Sequence, residues 1–275
     1  SKLYQRLWLK EGSPLKVYGQ NVAEGVQNRL GSAYHVELAM RYQNPSISAA
    51  LDKMKDNAVS EITVFPLFPQ YASATTGSIF EEVMRIMKKK ELIPSIRFIN
   101  SYYDHPKMIS LYAEKAQKHN LNSYDHFIFS FHGVPKRYLK KENNYCKCDT
   151  HCCKNIVDQN QFCYSAQCNA TAFAIAEELG IPEEKYTLSF QSRFGPEEWI
   201  QPYTDQVMFE QLEKGNKNIL VFSPAFVADC LETTIEIGYE YKEEFMEKGG
   251  NQLDLVESLN DDPKWIEAIV DIVTT

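Results

Sequence analysis

The sequence predicts an α/β fold: parallel strands covered by helices and divided into two similar halves around a cleft. Two observations carry that reading. Short runs rich in β-branched and aromatic residues alternate along the chain with segments of helical periodicity, and such alternation builds parallel sheets. The residues after each run are polar, aromatic and rich in turn formers, and ligands of these sheets bind beyond the carboxyl ends of the strands.

The predicted strands are residues 33–40 (AYHVELAM), 60–68 (SEITVFPLF), 95–100 (SIRFIN), 125–131 (DHFIFSF), 185–192 (KYTLSFQS) and 217–226 (KNILVFSPAF). Helical patterns follow, as in residues 77–90 and 172–180. The segments after the runs read MRYQNP, PQYASATTGS, YYDHP, HGVPKRY, RFGPEEW and VADCLETTIE. Turn chemistry explains any one of these; six at one sheet edge point to a shared cleft. A break near Asn120–Tyr124 splits the alternation into an N-terminal lobe, residues 1–122, and a C-terminal lobe, residues 123–249. Residues 250–275 are expected to pack back on the first lobe.

The chain has 275 residues, 44% apolar and 24% charged, enough for a substantial core. Its net charge of −8 argues against nucleic acid, which needs a basic face. No apolar run approaches the roughly 18 residues of a membrane span, and the opening SKLYQRLWLK has no signal-peptide core. These features predict a cytoplasmic protein, and a reducing compartment disfavours disulfides.

Six of the seven cysteines fall in an insertion at residues 143–168: Cys146, Cys148, Cys152, Cys153, Cys163 and Cys168. A disulfide knot is the weakest reading in that compartment. Zinc takes four thiolates in a tetrahedron, but its usual C-x2-C pair does not occur. An iron–sulfur cluster also takes four.

His132 ends a predicted strand and is followed by Gly133 and Pro135. Its imidazole can titrate near neutrality or bind a metal; a lone histidine in such a place is more often simply hydrogen-bonded in its loop. Glu232, Glu236, Glu240, Glu243 and Glu247 recur every three or four residues, so they line one helix face, which is commonly a solvated face. Only Asp229, Glu232 and Glu236 fall at the cleft end. Carboxylates opposite an imidazole suit a divalent cation in transit or an acid–base pair.

AMRYQNP, FPQYASATTGS, SFHGVP, SFQSRFGPEEWIQPYTD and DCLETTIEIG together resemble the ferrochelatases, which insert ferrous iron into a porphyrin in haem synthesis; the likeness runs from EGSPLKV to SLNDDPKWI. The resemblance implies a chelatase-like fold of two Rossmann-like lobes with a porphyrin cleft between them. By motif, His132 is the histidine at the macrocycle and Glu232 its partner across the cleft, with Glu236 and Asp229 extending an acidic path for the substrate iron. Arg41, Tyr42, Tyr71, Thr75 and Trp199 line the porphyrin pocket. Which of His132 and Glu232 handles protons and which metal stays open, as does protoporphyrin against coproporphyrin. Contacts with a membrane periphery or other haem-synthesis enzymes, and the oligomeric state, are also open.

The family pattern begins with a strand and a Gly-rich turn before its GSP motif, whereas here 12 residues precede Ser13, so that first strand is expected to be missing. Cys230 stands where some members have histidine, and no role is given to it. Some bacterial ferrochelatases carry a cysteine insertion that binds a [2Fe–2S] cluster. The matching pattern is Cys146, Cys152, Cys153 and Cys163, which leaves Cys148 over and Cys168 to open the next helix. Zinc is the alternative occupant. A non-catalytic tetrapyrrole-binding or iron–sulfur sensing protein is the alternative function, disfavoured because both His132 and Glu232 are kept. A chelatase for cobalt or another tetrapyrrole is disfavoured by the porphyrin-loop motifs.

Overall fold

The computed structural model describes residues 7–140, 146 and 151–275. Strands β1 (Glu61–Val64) and β2 (Ser95–Phe98) form one parallel sheet. Strands β3 (His126–His132), β4 (Tyr186–Gln191), β5 (Asn218–Phe222) and β6 (Gln252–Leu255) form a second, all parallel, in the order β4-β3-β5-β6. The helices are α1 (Pro14–Leu30), α2 (Ile47–Asp56), α3 (Ser78–Met87), α4 (Pro106–Ala116), α5 (Lys136–Lys140), α6 (Tyr164–Glu178), α7 (Thr204–Glu213), α8 (Lys242–Glu247) and α9 (Pro263–Thr274). Two π-helices interrupt this pattern: πA (Ser73–Gly77) runs into α3, and πB (Leu231–Tyr241) runs into α8. Proline opens α1, α4 and α9, a position where its missing N–H has no helical partner to lose.

Alternation along β3 decides the layering. Phe127, Phe129 and Phe131 enter the main core with Phe222 of β5, Met108 and Tyr112 of α4, Ile175 of α6 and Trp265 of α9. Ile128 faces the other way, into a second cluster with Ile219, Val221, Val207, Ile237 and Phe245. Side chains of a strand alternate between faces, and parallel sheets are covered on both. Phe129 stacks on Phe222 at 4.6 Å between centroids. The main core also takes Val22 and Val26 of α1 and Ala72 before πA, whereas Ile62 of β1 packs in a third cluster with Ile47, Leu51, Val83, Ile86 and Met87.

Three expectations need correction. Residues 33–40 form no strand; only Met40 makes an isolated parallel bridge, to Ser46. Instead, Gln27 of α1 accepts from the Val36 N–H (2.9 Å) and donates to the Tyr34 carbonyl (3.1 Å). A side-chain amide offers the donor and acceptor of a peptide, so Gln27 stands in for a strand neighbour. Second, β6 was not predicted, because QLDL is too short for a visible period. It pairs with β5, so only α9 of the C-terminal segment packs back, on α1 and α4. Third, the acidic helix after β5 begins as πB rather than as an α-helix.

Phe129 is fully buried, so Phe129→Ala is expected to cost ~3–5 kcal/mol, read by urea denaturation. His126, at the opposite end of β3 from His132, is also buried and hydrogen-bonded to Thr187 Oγ1 (2.9 Å). Burial, and secondarily Lys214, lowers its pKa to about 4, against about 6.5 in an unfolded chain. Between those values the unfolded state binds the extra proton, so stability falls as pH drops from about 6.5 towards about 4. His126→Gln should flatten that part of the stability–pH curve; an unchanged slope would assign the loss to other groups.

Candidate functional site

The carboxyl end of β3 sets the site. His132 follows the buried stretch 126–131 and is itself half-buried. Its Nδ1 lies 2.7 Å from the Gly133 carbonyl. A carbonyl can only accept, so the proton sits on Nδ1 and the Nε2 lone pair is left for a proton or metal. The Tyr164 hydroxyl at the start of α6 donates to the His132 carbonyl (2.7 Å). The imidazole lies between Trp199 and Phe226, at ring separations of 6.4 and 6.1 Å.

Glycine at position 133 lets strand β4 and Trp199 approach closely. A Cβ there would lie 3.1 Å from the Trp199 ring and 3.0 Å from the Gln191 carbonyl. Trp199 is held in turn: its indole N–H donates to the Phe194 carbonyl (2.8 Å). Ion pairs Lys136–Glu198 and Arg137–Glu197 tie the 193–199 loop to α5.

The β3–β4 register puts His132 opposite Gln191, and the Gln191 amide donates to the Glu232 carbonyl (2.8 Å). The strand neighbour of the histidine thus holds the first turn of πB. Glu236 is gripped more fully. Its oxygens accept from Gln191 Nε2 (3.2 Å), Ser192 N–H (3.1 Å), Ser192 Oγ (2.5 Å) and the Tyr241 hydroxyl (3.0 Å). Ser192 does this at a positive φ of 62°, which is uncommon outside glycine.

Asp229 accepts from Asn260 Nδ2 (2.8 Å) and Thr233 Oγ1 (3.2 Å), while its N–H donates to Asn260 Oδ1 (2.8 Å). Asn260 is buried at φ 52°. Cys230 caps πB in a reciprocal pair with Thr233. Burial and the adjacent Glu232 push its thiol pKa up, which keeps it protonated. Glu240, Glu243 and Glu247 are exposed, so the outer stripe is a solvated face.

The other expected pocket residues fall in two groups. Arg41 donates from Nε to Ser78 O (3.0 Å) and Oγ (2.9 Å) and lies over the Tyr42 ring, so both meet the start of α3. Tyr71 and Thr75 belong to πA and its approach; Thr75 Oγ1 donates to the Ala72 carbonyl (3.3 Å). Gln70, buried, reaches Thr171 of α6 (3.0 Å). Among the described residues, the described cysteines included, no group of three or more His, Cys, Asp or Glu is arranged to hold a metal ion.

In the cysteine-rich segment, Cys152 and Cys153 place their sulfurs 3.6 Å apart. The Cys153 thiol donates to Cys163, which lowers the Cys163 pKa and raises that of Cys153. The backbone N–H groups of Ala166 and Ser165 add to that lowering, although Cys163, at the N-cap of α6, makes no side-chain cap hydrogen bond. Cys146 is half-buried, Cys168 is wholly buried within α6, and Cys148 lies outside the described residues.

Gln191, Ser192, Asn260 and Tyr164 were not singled out from the sequence. Their roles depend on strand register and on backbone angles that nothing in local composition reports.

The architecture is that of the chelatases. A structure of SirB from Bacillus subtilis with Fe3+ aligns over 96% of this chain and 91% of that one, at a TM-score of 0.59 and 15% identity. CbiX, described as the terminal enzyme of sirohaem biosynthesis in denitrifying bacteria, aligns over 96% and 93% at a TM-score of 0.52 and 12% identity. The ferrochelatase family model matches residues 1–275. A ferrochelatase of Legionella pneumophila (strain Lens) is 44% identical over 99% of this chain and 81% of its own length, and one of Pseudomonas fluorescens (strain Pf0-1) is 42% identical over 97% and 79%. The chain belongs to the ferrochelatase family.

Asn260→Ala removes both side-chain bonds to Asp229. It is expected to cost about 1–3 kcal/mol, measured by urea denaturation; a neutral result would mean that Asp229 finds other partners.

Proposed function

We propose that the chain inserts ferrous iron into a porphyrin, with His132 and Glu232 working as a pair at the macrocycle. The observation that carries this reading is the tether from β4: Gln191 sits opposite His132 and holds the Glu232 carbonyl at 2.8 Å. Metallation has to remove two pyrrole protons, and a bound water does this poorly against a flat ring. The Nε2 lone pair of His132 accepts a proton or holds the incoming iron, and the Glu232 carboxylate takes the complementary role. A pocket that distorts the ring exposes its nitrogen lone pairs, drawing the strain from contacts elsewhere on the macrocycle. Trp199, Tyr42, Tyr71 and Thr75 supply those contacts, and Arg41 suits a propionate.

Glu236 and Asp229 continue the acidic path for Fe2+. The hydrogen bonds given to them come from neutral donors, which orient each carboxylate without cancelling its charge. Two lobes, divided near residue 122, face the substrate between them.

The cysteine-rich segment suits a [2Fe–2S] cluster held by Cys146, Cys152, Cys153 and Cys163. The 3.6 Å between adjacent sulfurs approaches the ~3.8 Å edge of a tetrahedron with metal–sulfur bonds of about 2.3 Å. Cys163, already biased towards thiolate, is a soft donor. When bound, a cluster supplies a redox-active staple for a polar segment with little apolar surface. A reducing cytoplasm keeps such thiols competent to bind. No helix of the described residues is long and apolar enough to cross a membrane.

His132→Ala should abolish iron insertion while porphyrin binding, followed by the Soret band, persists. Undiminished turnover in that variant defeats the assignment. Protein purified anaerobically with ample iron should be red-brown with about two irons and two sulfides per chain, and Cys163→Ser should bleach it. Zinc found by elemental analysis would replace the cluster reading and leave the chelatase reading intact.

A further inference from the structure

The first turn of α6 touches three regions at once. Cys163 caps the helix in contact with Cys153. Tyr164 donates to the His132 carbonyl. Gln167, with no exposed surface, accepts from the Tyr71 N–H (2.7 Å) and donates to the Gln161 carbonyl (2.6 Å), with Ser101 Oγ at 3.4 Å. One buried amide therefore joins the cysteine-rich segment to the loop that carries Tyr71.

Phe162 lies between Gln161 and Cys163. The residue is 59% exposed, and its ring meets that of Tyr71 edge-on at 6.4 Å. A single exposed aromatic is ordinary on a protein surface. This one is not carried by a slack loop, because the backbone on both sides is fixed: Gln167 holds the Gln161 carbonyl, and the Cys163 N–H donates to the Asn160 carbonyl (2.8 Å). An edge-to-face pair with one ring still open to water offers a flat aromatic ligand a ready second surface.

We propose that Phe162 contacts the tetrapyrrole, so that the cysteine-rich segment supplies part of the wall of the porphyrin site, and that Gln167 is the positioning residue that keeps this wall against Tyr71. The proposal rests on the reading that Tyr71 lines the porphyrin cleft. It gives the segment a place at the substrate whatever metal its cysteines hold.

The test compares Phe162→Ala, Phe162→Tyr, Gln167→Met and Tyr71→Ala in the full chain. Binding of protoporphyrin IX and coproporphyrin III is measured by Soret titration, alongside KM for each substrate. Phe162→Ala should weaken porphyrin binding about tenfold, leave KM for Fe2+ and the thermal midpoint as they were, and be rescued by Phe162→Tyr. Gln167→Met should likewise raise the porphyrin KM more than it lowers kcat. Wild-type porphyrin affinity in Phe162→Ala, with Tyr71→Ala weakened, overturns the proposal and spares the cleft assignment. Wild-type affinity in both overturns the cleft assignment beneath it. A loss in Phe162→Ala that falls equally on porphyrin and on Fe2+, or that comes with a lowered thermal midpoint, makes Phe162 a structural residue and also overturns the proposal.

Discussion

Residues 126–131 of β3 are buried, with three phenylalanine rings on one face and His126, Ile128 and Ser130 on the other. A strand so placed has only its end for chemistry, and His132 is that end. Everything arranged around it follows from the need to hold one imidazole where the sheet stops. The Gly133 carbonyl fixes its tautomer, Trp199 and Phe226 flank its ring, and Tyr164 ties its backbone to α6. Gln191, its neighbour in the ladder, reaches onward to πB. The rigidity of the buried sheet is transferred to polar groups through bonds of single known partners.

Much of the fold was legible because burial on both faces leaves a strong mark. HFIFSF and NILVF are near-continuous apolar runs, and each became a strand of the second sheet. Residues 33–40 misled because alternation is a statement about faces and not about partners; Gln27 supplies the polar contacts a strand would have supplied. In the candidate site, His132 and Glu232 could be proposed from the sequence because their residue types carry chemistry. Gln191, Ser192 and Asn260 could not. An amide or hydroxyl is common in any loop, and what distinguishes Ser192 and Asn260 is a left-handed backbone, set by the surrounding fold.

The acidic row shows the same division between type and placement. Five glutamates at helical spacing read as one face, yet the helix changes register within the row. In πB the backbone bonds close from i to i+5, and Glu232 and Glu236 are half-buried there. In and after the last turn, Glu240, Glu243 and Glu247 stand in solvent. The charge pattern is uniform; the environment is not.

The wide turns of πA and πB carry a cost that reaches beyond the folded state. Each holds its extra residues only because neighbouring contacts keep them: Cys230 with Thr233 at one end of πB, and Glu236 with Ser192 and Tyr241 in the middle. Loss of one residue from an ordinary helix rotates everything beyond it by about a hundred degrees. In a π-helix the same loss lets the backbone relax into the tighter, commoner winding. An in-frame deletion of one codon in this stretch is therefore expected to move Glu232 or Glu236 relative to Gln191 and Ser192 without breaking the helix. The length of residues 231–241 thus fixes where these two carboxylates stand as much as any hydrogen bond to them does.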